Sequence, residues 1–105
     1  MSKYRPGIYA ITCKVDGRVY VGQANNMGKR WATHRNDMKE ACEAYVPGFV
    51  SPHALTHSYQ IHGGKENHEF SVLECVDDPK MLIARERHWI NKLKTLDPRY
   101  GLNKQ

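Results

Sequence analysis

Apolar residues change their spacing from one stretch of this chain to the next, and the changes mark out six elements. Residues 7–14 (Gly-Ile-Tyr-Ala-Ile-Thr-Cys-Lys) and 18–23 (Arg-Val-Tyr-Val-Gly-Gln) are β-rich runs of strand length. Between them Asp16-Gly17 signals a tight two-residue hairpin turn. Asn25-Asn26 then offers a helix N-cap, and residues 27–43 follow with helix formers and few breakers. The stretch from Val46 to Pro52 holds two prolines and a glycine and reads as a loop. A second helix is expected from His53 to about Ile61, stopping at Gly63-Gly64. Residues 69–76, rich in Phe, Val and Leu, suit a third, central strand. Asp78-Pro79 places a cap ahead of a proline at the first helical position, which opens a helix from about Lys80 to Lys94. The order β-β-α-α-β-α predicts an α/β (α+β) fold, with a small three-stranded, mostly antiparallel sheet flanked by helices.

Length and composition narrow this picture. At 105 residues the chain supports one modest core, so residues 1–105 are expected to form a single domain. A net charge of +5 and a pI of about 9.2 favour an anionic partner, nucleic acid before a membrane surface. Three cysteines without a C-x-x-C spacing fit a reducing compartment and argue against a disulfide scaffold or a zinc knuckle. The first residues lack the apolar run of a signal peptide, and no stretch reaches transmembrane length. A cytoplasmic, intracellular location is therefore expected.

Polar residues standing where apolar ones belong carry the chemical information. Tyr9 and Tyr20, one on each hairpin strand, bring hydroxyls that must find partners if buried. With a two-residue turn, Tyr20 would face Cys13, and Tyr9 would lie four residues further along the same face, roughly 13 Å away. In the first helix Met27, Trp31 and Met38 mark the buried side, and Arg30 and His34 lie beside Trp31 one turn apart. Arg30 can point a planar guanidinium at a phosphate from there, although a solvated position beside Trp31 is the blander reading. In the last helix the apolar stripe runs Leu82, Ile83, Trp89, Ile90 and Leu93, with Glu86 in its middle. A carboxylate aimed at a core requires an ion pair, hydrogen bonds or a metal ion. His53, His57, His62, His68 and His88 match no common zinc template.

Together, these residues resemble the GIY-YIG nuclease family. The resemblance is carried by Gly7-Ile8-Tyr9, by Tyr20-Val21-Gly22 with Val21 in place of the usual isoleucine, and by Lys29-Arg30-Trp31 with His34. Ser58 through His62-Gly63, residues 70–74, residues 85–90, and the terminal Tyr100-Gly101-Leu102-Asn103 complete it. It looks closest to the catalytic domains of phage intron-type homing endonucleases, which implies a phage-infected bacterial host.

The resemblance implies a metal-dependent DNA endonuclease that uses one Mg²⁺ or Mn²⁺ ion. Glu86 would be the sole protein ligand, with waters and substrate filling the other positions. Tyr9 would be the general base, Arg30 the stabiliser of transition-state charge, and Tyr20 a phosphate or water contact. His34 would take a proton or steady a phosphate, and Asn103 would hold the site together from the terminal segment. Lys29, Arg35, His53 and His57 are expected to contact DNA, with the loop around Tyr45–Pro52 adding further contacts. A dimer or an attached DNA-binding region would supply sequence specificity. The alternative is a catalytically silent DNA-binding module with the same fold.

Overall fold

The computed structural model of the chain describes residues 5–44 and 53–103. The loop Tyr45–Pro52, named above for extra DNA contacts, lies outside these residues. Strands β1 (Gly7–Cys13) and β2 (Val19–Ala24) are followed by helices α1 (Met27–Glu43) and α2 (Ala54–His62). Strand β3 (His68–Cys75), a short 3₁₀ turn over Pro79–Met81 and helix α3 (Leu82–Leu93) complete the fold. The three strands form one sheet in the order β2-β1-β3, and both pairings are antiparallel. The predicted element order and fold class hold throughout.

β1, not β3, occupies the centre, which corrects the expectation for the third strand. Every residue of β1 except Thr12 is buried, because both of its faces are covered. Ile8 and Ala10 point to one side, and Tyr9, Ile11 and Cys13 to the other. β3 leaves Glu69 and Ser71 exposed, as an edge strand can. Its Phe, Val and Leu cover the two cores from the margin.

One core lies between the sheet and α1–α2 and contains Tyr9, Ile11, Met27, Met38, Ala41 and Tyr59. The other lies between the opposite face and α3, with Ile8, Val21, Val76 and Leu82 at its centre. Each fully buried aliphatic side chain contributes about 2 kcal/mol. In α3 the stripe runs Leu82, Trp89, Ile90 and Leu93, whereas Ile83 is exposed, against expectation. Position 83 lies about 100° around the helix from Leu82, just past the buried arc.

The hairpin turn also differs from expectation. Four residues, Lys14 to Gly17, separate Cys13 from Arg18, and the Cys13 N–H donates to the Arg18 carbonyl at 2.9 Å. Gly17 takes a left-handed φ of 76°, while its N–H reaches back to the Cys13 carbonyl. The wider turn sets Ile11 opposite Tyr20 and Tyr9 opposite Gly22. Tyr20 thus stands two residues nearer Tyr9 than a tight turn would allow.

The helix signals act as expected. The Asn26 side chain caps α1 by accepting from the Lys29 N–H at 3.0 Å. The Asp78 carboxylate accepts from the Lys80 N–H, so it caps the 3₁₀ turn and delays α3 until Leu82. Among the described residues no helix is long and apolar enough to cross a membrane. Replacing Asn26 by Ala should cost about 1 kcal/mol of folding stability and lower the melting temperature by several degrees in a thermal melt.

Candidate active site

Tyr9 is fully buried, and the absence of a side chain at Gly22 makes its position possible. A Cβ built on Gly22 would lie 2.4 Å from both Cζ and Oη of Tyr9, so the phenol ring lies directly across the neighbouring strand. It stacks on Phe70 at 5.2 Å and approaches Tyr20 at 6.4 Å between ring centroids. The two tyrosines are therefore neighbours rather than brackets around a site, a consequence of the shifted register.

The Tyr9 hydroxyl meets two residues of α1. His34 Nε2 lies 2.8 Å away, and Arg30 Nε donates to the oxygen at 3.3 Å. A guanidinium can only donate, so the Tyr9 oxygen accepts from Arg30 and keeps its own proton for another partner. With the ring hydrogen on Nδ1, His34 Nε2 is the acceptor for that proton. Arg30 and His34 reach one oxygen because positions four apart share a helix face. Met27, Met38 and Ala41 hold that face against the sheet.

Burial sets the protonation states. It pushes the Tyr9 phenol up to about 12, although the hydrogen bond from Arg30 works in the opposite direction. Tyr20 is raised by the same cause. His34 is pushed down to about 4 by burial and by the nearby Arg30 charge. At neutral pH the cluster is thus two neutral phenols, a neutral imidazole and one guanidinium.

Glu86 comes from the other side of the sheet. It projects from α3 toward the margin formed by β2, where its carboxylate hydrogen-bonds the Gln23 side chain. Burial raises its pKa, and the Gln23 contact lowers it. A cleft of about 370 Å³ at this margin is lined by Tyr20, His53, Leu55, Glu86, Ile90 and Asn103, among others. The ion pair considered for an inward glutamate belongs instead to Glu74. Arg85 Nη2 lies 2.9 Å from Glu74 Oε1, and Trp89 Nε1 donates to the same oxygen at 3.0 Å. These contacts tie α3 to β3 and aim Glu86 past the sheet.

Asn103 closes the cleft. Its side-chain oxygen accepts from the Val21 N–H at 2.7 Å, and its side-chain nitrogen donates to the Val21 carbonyl at 2.9 Å. Residues 100–102 pair beside β2 just before it: the Val19 N–H donates to Tyr100, and the Leu102 N–H donates to Val19. The asparagine amide thus extends a short parallel pairing by one residue.

The structure therefore brings Tyr9, Tyr20, Arg30 and His34 into one cluster, with Glu86, Asn103 and His53 lining the adjoining cleft. It does not bring Arg35 there. Arg35 lies about 140° around α1 from Arg30, with its guanidinium 6.0 Å over the Trp31 ring. Lys29 is exposed on the outward side of α1. His57 is half-buried one turn beyond His53, and its Nδ1 is buried without a hydrogen-bond partner among the described residues. Gln23 and Tyr59 were not singled out in the sequence. Gln23 alternates with Val19 and Val21 and so falls on the α3 side, a signal available in the strand pattern. Tyr59 is buried behind the cluster, and nothing in its local sequence distinguishes it from an ordinary core residue.

The donor at this cleft fits the chemistry of a hard divalent cation. Glu86 offers one half-buried carboxylate beside open space, and among the described residues no trio of His, Cys, Asp or Glu converges on it. A single carboxylate suits an ion that keeps most of its waters.

The sheet with its flanking helices and the tyrosine–arginine–histidine cluster define a GIY-YIG catalytic domain. Residues 5–100 match that family, and the chain belongs to it. Intron-associated endonuclease 1 of Enterobacteria phage T4 is 33% identical over 92 residues, which span 87% of this chain and 34% of the phage protein. The chain thus spans about a third of that relative's length. The catalytic domain of homing endonuclease I-TevI superposes with a TM-score of 0.73 at 30% identity, over 94% of this chain and 97% of that domain. A mutant of the catalytic domain of intron endonuclease I-TevI gives 0.72 at 28% identity, over 96% of each chain.

His34 makes stability depend on pH in a definite direction. Its folded pKa of about 4 lies below its ordinary value of 6.5, so the unfolded chain binds more protons between the two. This contribution is complete above pH 6.5 and is lost as pH falls to 4, roughly 3 kcal/mol in all. Burial also lowers His68, which adds loss of the same sign. Denaturant melts between pH 7 and 4.5 should show this decline, and a smaller one in His34→Gln.

Proposed function

We propose that this domain is a divalent-metal-dependent DNA endonuclease that hydrolyses phosphodiester bonds, with residues 1–105 forming one catalytic unit. The observation that carries the reading is the Tyr9 hydroxyl held between His34 Nε2 at 2.8 Å and Arg30 Nε at 3.3 Å. A buried phenol linked to a neutral imidazole forms a proton relay. Tyr9 takes a proton from the attacking water as its own proton passes to His34. With a pKa near 12, Tyr9 acts by relaying the proton rather than by standing as a phenolate. The negative charge of a bound phosphate favours the imidazolium that forms.

Arg30 is placed to balance the charge that develops on the phosphate oxygens. Tyr20 turns a hydroxyl toward the same space and orients the phosphate or the water. Glu86 would hold one Mg²⁺ or Mn²⁺ ion, with waters completing its shell. That ion would polarise the phosphate and stabilise the leaving oxygen. Asn103 acts through the backbone, fixing β2 and hence Tyr20. His53, at the cleft mouth, is suited to contact DNA. Lys29 and Arg35 would engage the duplex away from the reacting phosphate. Sequence recognition is assigned to an attached region or a second subunit, and the setting to the interior of a phage-infected cell.

Supercoiled plasmid with Mg²⁺ or Mn²⁺ tests the reading. Wild type should nick or linearise it, Tyr9→Phe should slow cleavage at least about 100-fold, and Glu86→Ala should be silent. A wild type silent with both ions on several DNA forms would leave only the non-cleaving DNA-binding module. In the active enzyme the rate should stay level through the neutral range, because the Tyr9 phenol and the His34 imidazole both hold their working protonation states there. No break should occur near pH 6.5, since His34 is already neutral there; a break at that pH would contradict the lowered pKa that burial gives His34.

A further inference from the structure

Away from the cleft, at the far end of the hairpin, three side chains from separate elements converge. Cys13 ends β1, Asp16 sits in the turn, and His62 is the last residue of α2. One ligand atom from each lies within 4.8 Å of the others. His62 Nε2 is 3.3 Å from Asp16 Oδ2, and the Cys13 thiol hydrogen-bonds the same carboxylate. We propose that Cys13 Sγ, Asp16 Oδ2 and His62 Nε2 form a site for one borderline-soft divalent transition ion of the Zn²⁺ class, which staples the hairpin turn to the end of α2.

The donor set selects the ion. Thiolate, imidazole and carboxylate together match four-coordinate Zn²⁺ with water as the fourth ligand. A soft sulfur donor disfavours Mg²⁺, so this site is chemically separate from the one assigned to Glu86. Access matches as well. Cys13 is fully buried, whereas the side chains of His62 and Asp16 are 21% and 27% exposed. The ion would therefore enter from solvent and keep its water on the outer side.

Arg18 holds the carboxylate through both of its oxygens. The Arg18 N–H donates to Asp16 Oδ1 at 3.0 Å, and Arg18 Nε donates to Oδ2 at 2.9 Å. Such outer contacts fix a ligand's orientation before the metal arrives. Neighbouring His68 is already committed, with Nε2 2.8 Å from Ser58 Oγ and Nδ1 3.0 Å from the Gly64 carbonyl. In the metal-free chain the Cys13 thiol proton is directed at Asp16, and His62 Nε2 stands 3.3 Å from the same carboxylate. On binding, the metal forms bonds to sulfur, nitrogen and oxygen; the thiol proton leaves to solvent, while the imidazole keeps its one hydrogen on Nδ1 and coordinates through Nε2.

The inference does not rest on the nuclease reading. Spacing alone did not reveal the site, because the ligands are 3 and 46 residues apart and only the four-residue turn brings Asp16 to the helix end.

Co²⁺ added to the chelator-treated full chain tests it. A sulfur-to-cobalt charge-transfer band in the near ultraviolet and visible bands of four-coordinate cobalt are expected, both abolished by Zn²⁺. The charge-transfer band should vanish in Cys13→Ser and persist in Glu86→Ala. At a hundredfold excess over its Kd, Zn²⁺ should raise the melting temperature by about 5 °C or more. His62→Gln, at a half-buried position, keeps the test valid if Cys13→Ser does not fold; it should weaken Co²⁺ binding at least tenfold with an unchanged circular dichroism spectrum. Absence of the band in wild type, its survival in Cys13→Ser through Cys42 or Cys75, or undiminished affinity in His62→Gln would each overturn the proposal.

Discussion

A phenol hydroxyl that has left water must find partners within the protein, and the Tyr9 oxygen sets the terms for everything around it. It has one proton to give and room to accept, while Arg30 can only donate and His34 Nε2 stands within hydrogen-bond reach. Meeting both conditions fixes the rotation of α1 about its axis, since only one face presents positions 30 and 34 to the sheet. The same face must carry Met27, Met38 and Ala41 into the core. Packing and polar satisfaction thus agree on a single placement, and the cluster is preorganised as a by-product of folding.

The second constraint is that the contributing elements lie on opposite sides of the sheet. The tyrosines, Arg30 and His34 belong to the α1–α2 side, whereas Glu86 belongs to α3 on the other. They meet only because β2 is the last full strand and the cleft wraps around it. The Glu74–Arg85–Trp89 contacts keep α3 from sliding along that margin. The Asn103 amide occupies hydrogen-bonding groups of β2 that would otherwise be open to another strand. Structural residues far apart in the chain therefore determine the geometry of a few polar atoms.

Most of the architecture was legible because it is encoded locally. Caps at Asn26 and Asp78, the glycines after α2 and the period of the helices all act over a few residues, and they placed every element. What escaped depended on long-range pairing. Residues 69–76 read as a central strand from their apolar content, but centrality is decided by which strand has both faces covered, and that strand is β1. Ile83 lies just beyond an arc whose width the sequence does not state. In the site, Arg30, His34 and Glu86 stood out as polar residues on apolar faces. The role of Gln23 follows from strand alternation only after the partner helix is known. The convergence of Cys13 and His62 leaves no local trace at all.

The hairpin turn has a consequence beyond its own residues. Because β1 and β2 run antiparallel, every residue added to or removed from the turn slides one strand past the other along their whole length. The four-residue connection from Lys14 to Gly17 works as a ruler. Its length, set at the far end of the hairpin, is read out as the distance between two hydroxyls. A segment that touches neither tyrosine therefore decides whether they belong to one site.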